Sequence, residues 1–172
     1  HLLDVFARRW LEDVPGAHAE RKYAEALYAE VQLERAYWFL QQNRGVEAAE
    51  LFLSIAQKTR SLEAISGFVE ASARAGTATS ESSARLSEAL GRDEPLRRYA
   101  EAVALGRQLP SLDGAAFTTT LSRARAALRG AEDALARNAE LHHLLGFLAH
   151  EAFHHTGART EALEAHGRYH LA

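Results

Sequence analysis

The residues best equipped for chemistry lie near the end of the chain, in His150-Glu151-Ala152-Phe153-His154. Two imidazoles one helical turn apart can ligate one metal ion from a single helix face, and a glutamate beside them can take a proton from metal-bound water. That is the chemistry of a zinc-dependent hydrolase. The pattern runs on through His155-Thr156-Gly157, but Thr160 stands where a third histidine would complete its longer form. Glu161 and Glu164 are the nearest alternative ligands, and both fall unusually close. With nine histidines in 172 residues such a match also arises by chance, and ordinary helix residues are the simpler reading. An intermediate reading keeps the metal without catalysis. If the helices flanking Gly157 run antiparallel, His150 and His154 share a face and His166 comes beside His150. Three imidazoles would then hold Zn²⁺ or Ni²⁺, with His143 and His170 extending the cluster.

Other chemistries find less support. Glu140/His143 and Glu151/His154 have the spacing of di-iron carboxylate ligands, but that site needs one pair on each of two helices. Neither a glycine-rich phosphate loop nor a G-x-S-x-G elbow occurs. The chain has no cysteine, which excludes disulfides and thiolate metal sites and is compatible with cytoplasm or periplasm alike. A net charge of -3 argues against a generic nucleic-acid binder. No uncharged run approaches the roughly 20 residues that span a bilayer, so no membrane insertion is expected. Arg97, Arg98, Arg123, Arg125 and Arg129 could meet phosphate or an acidic partner, but solvated helix faces balanced by nearby carboxylates are the plainer expectation. Tyr23, Tyr28, Tyr37, Trp38 and Phe39 form an aromatic stripe expected to pack a core, with Trp38 a natural anchor if exposed.

Helices must position these groups. In Ala17–Asn43 the apolar Ala26, Leu27, Val31, Leu33, Ala36, Tyr37 and Leu40 recur at three- and four-residue steps, with Glu25, Glu30, Glu34 and Arg35 between them. The same pattern predicts helices over 46–59, 62–75, 81–90, 96–108, 115–128, 131–153 and 159–171, and a leading one over 2–11. No segment alternates with period two, so the expected fold is all-α. Pro15-Gly16, Arg44-Gly45, Arg60-Ser61, Gly76-Thr77, Asp93-Glu94-Pro95, Pro110-Ser111, Asp113-Gly114 and Thr156-Gly157 mark the breaks. Thr77–Ser83 reads as a longer loop whose hydroxyls cap a helix before Ala84. Ser111 and Asp113 are candidate N-caps.

The segments 41–56, 73–95 and 154–172 share a form: a glycine turn, an acidic residue, then a small alanine opening a second helix. In this they resemble the tetratricopeptide repeat. The turn glycines would be Gly45, Gly76 and Gly157; the second-helix alanines Ala49, Ala84 and Ala162, with Ala56 and Ala89 further along; the exit prolines Pro15 and Pro95. The resemblance implies antiparallel helical hairpins stacked as an α-solenoid over residues 1–172, in approximate units 1–16 (partial), 17–61, 62–95, 96–130 and 131–172. The spacing is irregular, with Ala116 to Ala162 longer than the other steps. A chain without methionine that opens inside an apolar pattern is expected to be an internal piece of a longer protein, and 18 Arg against two Lys suit a GC-rich bacterial gene.

Such arrays bind along the concave face made by first helices. Registering the hairpins on their glycines puts Trp38, Gln42, Glu70, Arg74, Glu151, His154 and His155 there. The expected function is a non-enzymatic scaffold without a cofactor, binding a peptide or protein partner, other domains of the same chain included. The alternative is the zinc-dependent hydrolase or metal-binding domain using His150, His154 and His166.

Overall fold

Regular apolar spacing and few breakers commit most of this chain to helix, and the computed structural model shows where each helix stops. It describes residues 18–172, together with Val5 and Arg9. The expected 2–11 helix, apart from those two positions, and the Pro15-Gly16 break lie outside the described residues. Among the described residues the regular structure is all helical, with no strand. Contacts divide the chain into two compact units, His1–Ala78 and Thr79–Ala172. The expected 62–95 hairpin is thus shared between the two units.

The first unit holds α1 (His18–Gln41), α2 (Gly45–Thr59) and α3 (Leu62–Arg74). Each helix packs on the next, and Phe52 of α2 is the centre. It is fully buried with Ile65 and Phe68 of α3, and the Tyr37 ring meets it edge-on at 5.1 Å. Gly67 is what admits Phe52: a Cβ there would run into the phenyl ring. The reversals use backbone that sequence pattern alone does not reveal. Asn43 (φ 57°) turns the chain into α2, and Arg60 (φ 59°) ends α2, so two non-glycine residues occupy the left-handed region. Ser61 then caps α3, its hydroxyl accepting from the Ala64 N–H at 3.3 Å.

Gly45 was expected to be a turn glycine, and its part is different. It is the first residue of α2, and a Cβ there would lie 2.9 Å from the Ala75 nitrogen and 3.0 Å from the Ala71 oxygen. It lets the start of α2 touch the end of α3.

The second unit holds α4 (Thr79–Leu90), α5 (Glu94–Gly106), α6 (Gly114–Arg129), the single turn α7 (Glu132–Leu135), α8 (Ala139–Thr156) and α9 (Arg159–Leu171), with a 3₁₀ turn at Leu109–Ser111. The polar run expected as a loop starts α4 at Thr79, where Ser82 Oγ donates to the Thr79 carbonyl at 3.0 Å. Of the alanines assigned to second helices, Ala84 is exposed, Ala49 and Ala56 are buried, and Ala89 and Ala162 are half-buried. Asp93 caps α5, and Pro95 lies in its first turn, where its missing N–H is harmless; it opens that helix instead of closing a repeat. Asp113 precedes α6 without making a side-chain cap bond, and the Ser111 hydroxyl donates back to Gln108.

The single helix expected over 131–153 is broken. Asn138 adopts extended backbone and its side chain accepts from the Glu140 N–H at 3.0 Å, starting α8 afresh. Beyond it Leu141, Leu144, Leu145, Leu148, Ala149 and Ala152 are buried, and α8 packs on α5 and α6. Gly106 of α5 sits against Leu148, whose methyl a Cβ would meet at 3.3 Å. Gly157, with φ 68°, turns the chain into α9. That last helix buries only Ala165.

Candidate functional site

Two places gather side chains capable of binding, one in each unit. In the first unit, α1 buries Ala24 and Ala36, but between them Ala26, Ala29 and Leu33 are partly or fully exposed. These three share a face at steps of three and four. Across from them stand Leu51 and Ile55 of α2, and the two helices leave a groove of about 890 Å³. Its floor is apolar. Lys22, Glu25, Glu30 and Lys58 supply its charges, and Tyr28 and Gln32 add polar atoms. Glu25 accepts from Arg21 Nε at 3.3 Å, which partly neutralises it. Lys22 and Lys58 are the only lysines of the chain, and both line this groove.

None of the expected groove residues lines it. Trp38 is 50% exposed, its ring beside Phe39 at 5.3 Å, and Gln42 is exposed at the end of the same helix. Arg74 donates to Glu70 at 2.6 Å. Gly45 touches Ala71 and Ala75, so the start of α2 lies against the end of α3, the helix that carries Glu70 and Arg74. Of the aromatic stripe, Phe39 is buried under the Arg44 guanidinium, Tyr28 and Tyr37 are half-buried, and Tyr23 is exposed.

In the second unit the α8–α9 hairpin carries the histidines. His150 and His154 bring their Nε2 atoms to 3.0 Å, and His166 and His170 bring theirs to 3.2 Å. His166 therefore pairs along its own helix. Among the described residues no three His, Asp or Glu side chains converge on a metal position. The nearby carboxylates are engaged elsewhere. Glu161 takes both terminal nitrogens of Arg125, at 3.2 and 2.5 Å, and Glu164 lies 3.9 Å from the same group. These hydrogen bonds hold the Arg125 guanidinium above its ordinary pKa against the opposing effect of burial. Glu151 is half-buried, and after burial its charge is the second cause pushing the Tyr169 hydroxyl up. His155 stacks flat on Phe117 at 4.0 Å and serves packing between α8 and α6.

Of the arginines expected to meet local acids, only Arg97 and Arg98 do so among the described residues; Arg123, Arg125 and Arg168 reach carboxylates on other elements. Glu94 pairs with both Arg97 and Arg98, Arg168 with Glu132 at 3.2 Å, and Arg123 stands 3.9 Å from Glu101. Arg125, Arg129 and Arg168 line a cavity of about 210 Å³ together with Glu132 and Glu164. Mixed charge there offsets any general attraction for phosphate.

Sequence reading missed the α1–α2 groove and His142. The two lysines, and the Ala26, Ala29, Leu33 stripe beyond what the core uses, were the available signal for the groove. His142 Nε2 donates to the Ala136 carbonyl at 2.9 Å and so ties α8 back to the chain that precedes it. Its Nδ1 is buried without a hydrogen-bond partner among the described residues. No helix among the described residues is long and apolar enough to cross a membrane. No protein-family model, curated protein or solved structure matches the chain.

Proposed function

We propose that this chain is a non-enzymatic interaction module whose α1–α2 groove holds a peptide or a segment of a partner protein, another domain of the same chain included. The groove itself carries the reading. Its volume lies in the range of sites that enclose a ligand of several residues' bulk. An apolar floor rimmed by separate positive and negative charges suits an amphipathic segment: burial supplies affinity, and the charges select orientation. Lysine ammonium groups on flexible stems can follow carboxylates of varied placement.

The hairpins are read as tetratricopeptide-like units of an α-solenoid. Short connections at residues 60–61 and 157–158, glycines at positive φ in Gly76 and Gly157, and small buried residues Gly45, Ala48 and Ala49 at helix contacts support this.

Selection from a displayed peptide library tests the binding. Selected peptides should shift the amide resonances of Ala29, Leu33, Leu51 and Ile55. Ala29→Arg, which fills the floor from a partly exposed site, should weaken them at least tenfold, about 1.4 kcal/mol. Peptides indifferent to Ala29→Arg, or a library yielding none, would remove the reading.

A further inference from the structure

We infer that the α8–α9 hairpin carries two separate metal sites, one formed by His150 and His154 and the other by His166 and His170, each taking a divalent first-row transition ion of the Ni²⁺ or Cu²⁺ kind. This is distinct from the peptide groove, which lies in the other unit. It also differs from a single three-histidine site, because His166 faces His170.

The way the rings are held favours a shared ion at each pair. Imidazoles four residues apart stand one above the other on a helix face. In both pairs the rings turn edge to face, at 76° and 85°, with centroids 4.4 Å apart. In both it is the outer nitrogens that converge, to 3.0 and 3.2 Å. Bonds of about 2.1 Å from those nitrogens to a shared ion would subtend about 90° in the first pair and about 100° in the second. An octahedral or square-planar ion asks for 90° between neighbouring ligands, and a tetrahedral one for a wider angle. The bite of the first pair therefore favours Ni²⁺ or Cu²⁺ over Zn²⁺; that of the second lies between the two geometries, and there the higher affinity of nitrogen sites for Cu²⁺ decides. All four histidines are exposed, so an ion can enter and keep water at its remaining positions.

Without an ion, each pair satisfies itself by sharing a proton, one Nε2–H donating to the other Nε2. Binding replaces that hydrogen bond. The donor ring moves its proton from Nε2 to Nδ1 through solvent, and both outer lone pairs then meet the ion. A neutral pair loses no net proton in this step. Two ligands from one rigid helix are already oriented, so little side-chain entropy is lost on binding. Bridging successive turns also ties α8 and α9 in their helical form, and binding stabilises whatever it requires to be folded.

Untagged protein in chelator-free buffer is titrated with Cu²⁺ by calorimetry, and the ion content after dialysis is measured by atomic absorption. Two ions per chain are expected. His154→Ala and His170→Ala should each remove one and the double variant both, while His143→Ala keeps two. Circular dichroism should show unchanged helix in each variant, because the positions are exposed. Fewer than two ions on the parent protein, or any ion retained by the double variant, overturns the proposal.

Discussion

At the scale of single residues, two glycines in helix interiors make opposite demands. Gly67 yields its space to the Phe52 ring, whereas nothing lies within 4 Å of a Cβ added at Gly167. Helix propensity favours alanine at both by up to about 1 kcal/mol. Gly167→Ala should therefore raise stability by about 0.5–1 kcal/mol. Gly67→Ala should lower it by about 1–3 kcal/mol, overpacking outweighing propensity. Urea denaturation of both variants reads the contrast, and equal signs would refute the packing account. Glu94 supplies a pH-dependent case. Hydrogen bonds from Arg97, and then Arg98, hold its carboxyl below the ordinary glutamate range. The depressed group adds stability above the unfolded-state pKa, and that stability is lost as pH falls through the folded-state value. Carboxyl NMR titration should place Glu94 low, and replacing both arginines by alanine should return it upward.

At the scale of elements, a cap and an ion pair perform tasks usually left to apolar faces. Asn138 begins α8 by satisfying the Glu140 N–H. Asn138→Ala should cost about 1 kcal/mol, read from the thermal or urea midpoint, and loosen amide exchange in the first turn of α8. The burial of Ala165 alone is little to dock a helix of 13 residues. Its remaining anchors are Tyr169, lying over Gly146, and the pairs Arg125–Glu161 and Arg168–Glu132. The Arg125 bridge is bidentate and partly shielded, so it is worth more than an exposed pair. Arg125→Ala should cost about 1–2 kcal/mol and speed hydrogen exchange selectively in α9. Uniform exchange across α8 and α9 would contradict that assignment.

At the scale of the molecule, each unit has a hydrophobic centre of its own. Phe52, Leu62, Ile65 and Phe68 are fully buried in the first, and Tyr99, Leu109, Leu128, Leu141 and Leu148 in the second. Each such side chain contributes about 1.5–3 kcal/mol by leaving water. Residues 79–172 expressed alone should therefore keep their helix content and melt cooperatively. A gradual, non-cooperative melt followed by circular dichroism would show that the centre of this unit is insufficient. The proposed sites divide in the same way, with the peptide groove in the first unit and the histidine pairs in the second.

The all-α class and most helix spans are visible in the sequence, because three- and four-residue apolar spacing is a local property of the chain. Gly76 and Gly157 announce their turns for the same reason: only glycine enters the left-handed region freely. The break at Asn138 is less visible, since asparagine is also tolerated inside helices and no glycine or proline marks the place. Asn43 and Arg60 turn the chain although neither is glycine. Other features depend on residues far apart in sequence. Gly45 meets Ala71 and Ala75, Gly67 meets Phe52, and the α1–α2 groove exists only where two helices leave a gap. The histidines show the division most plainly. Spacing by itself brought His150 to His154 and His166 to His170, one turn apart on their helices. Tertiary structure decided that no third ligand joins them among the described residues, because the packing of α9 directs Glu161 to Arg125 and leaves His166 with His170.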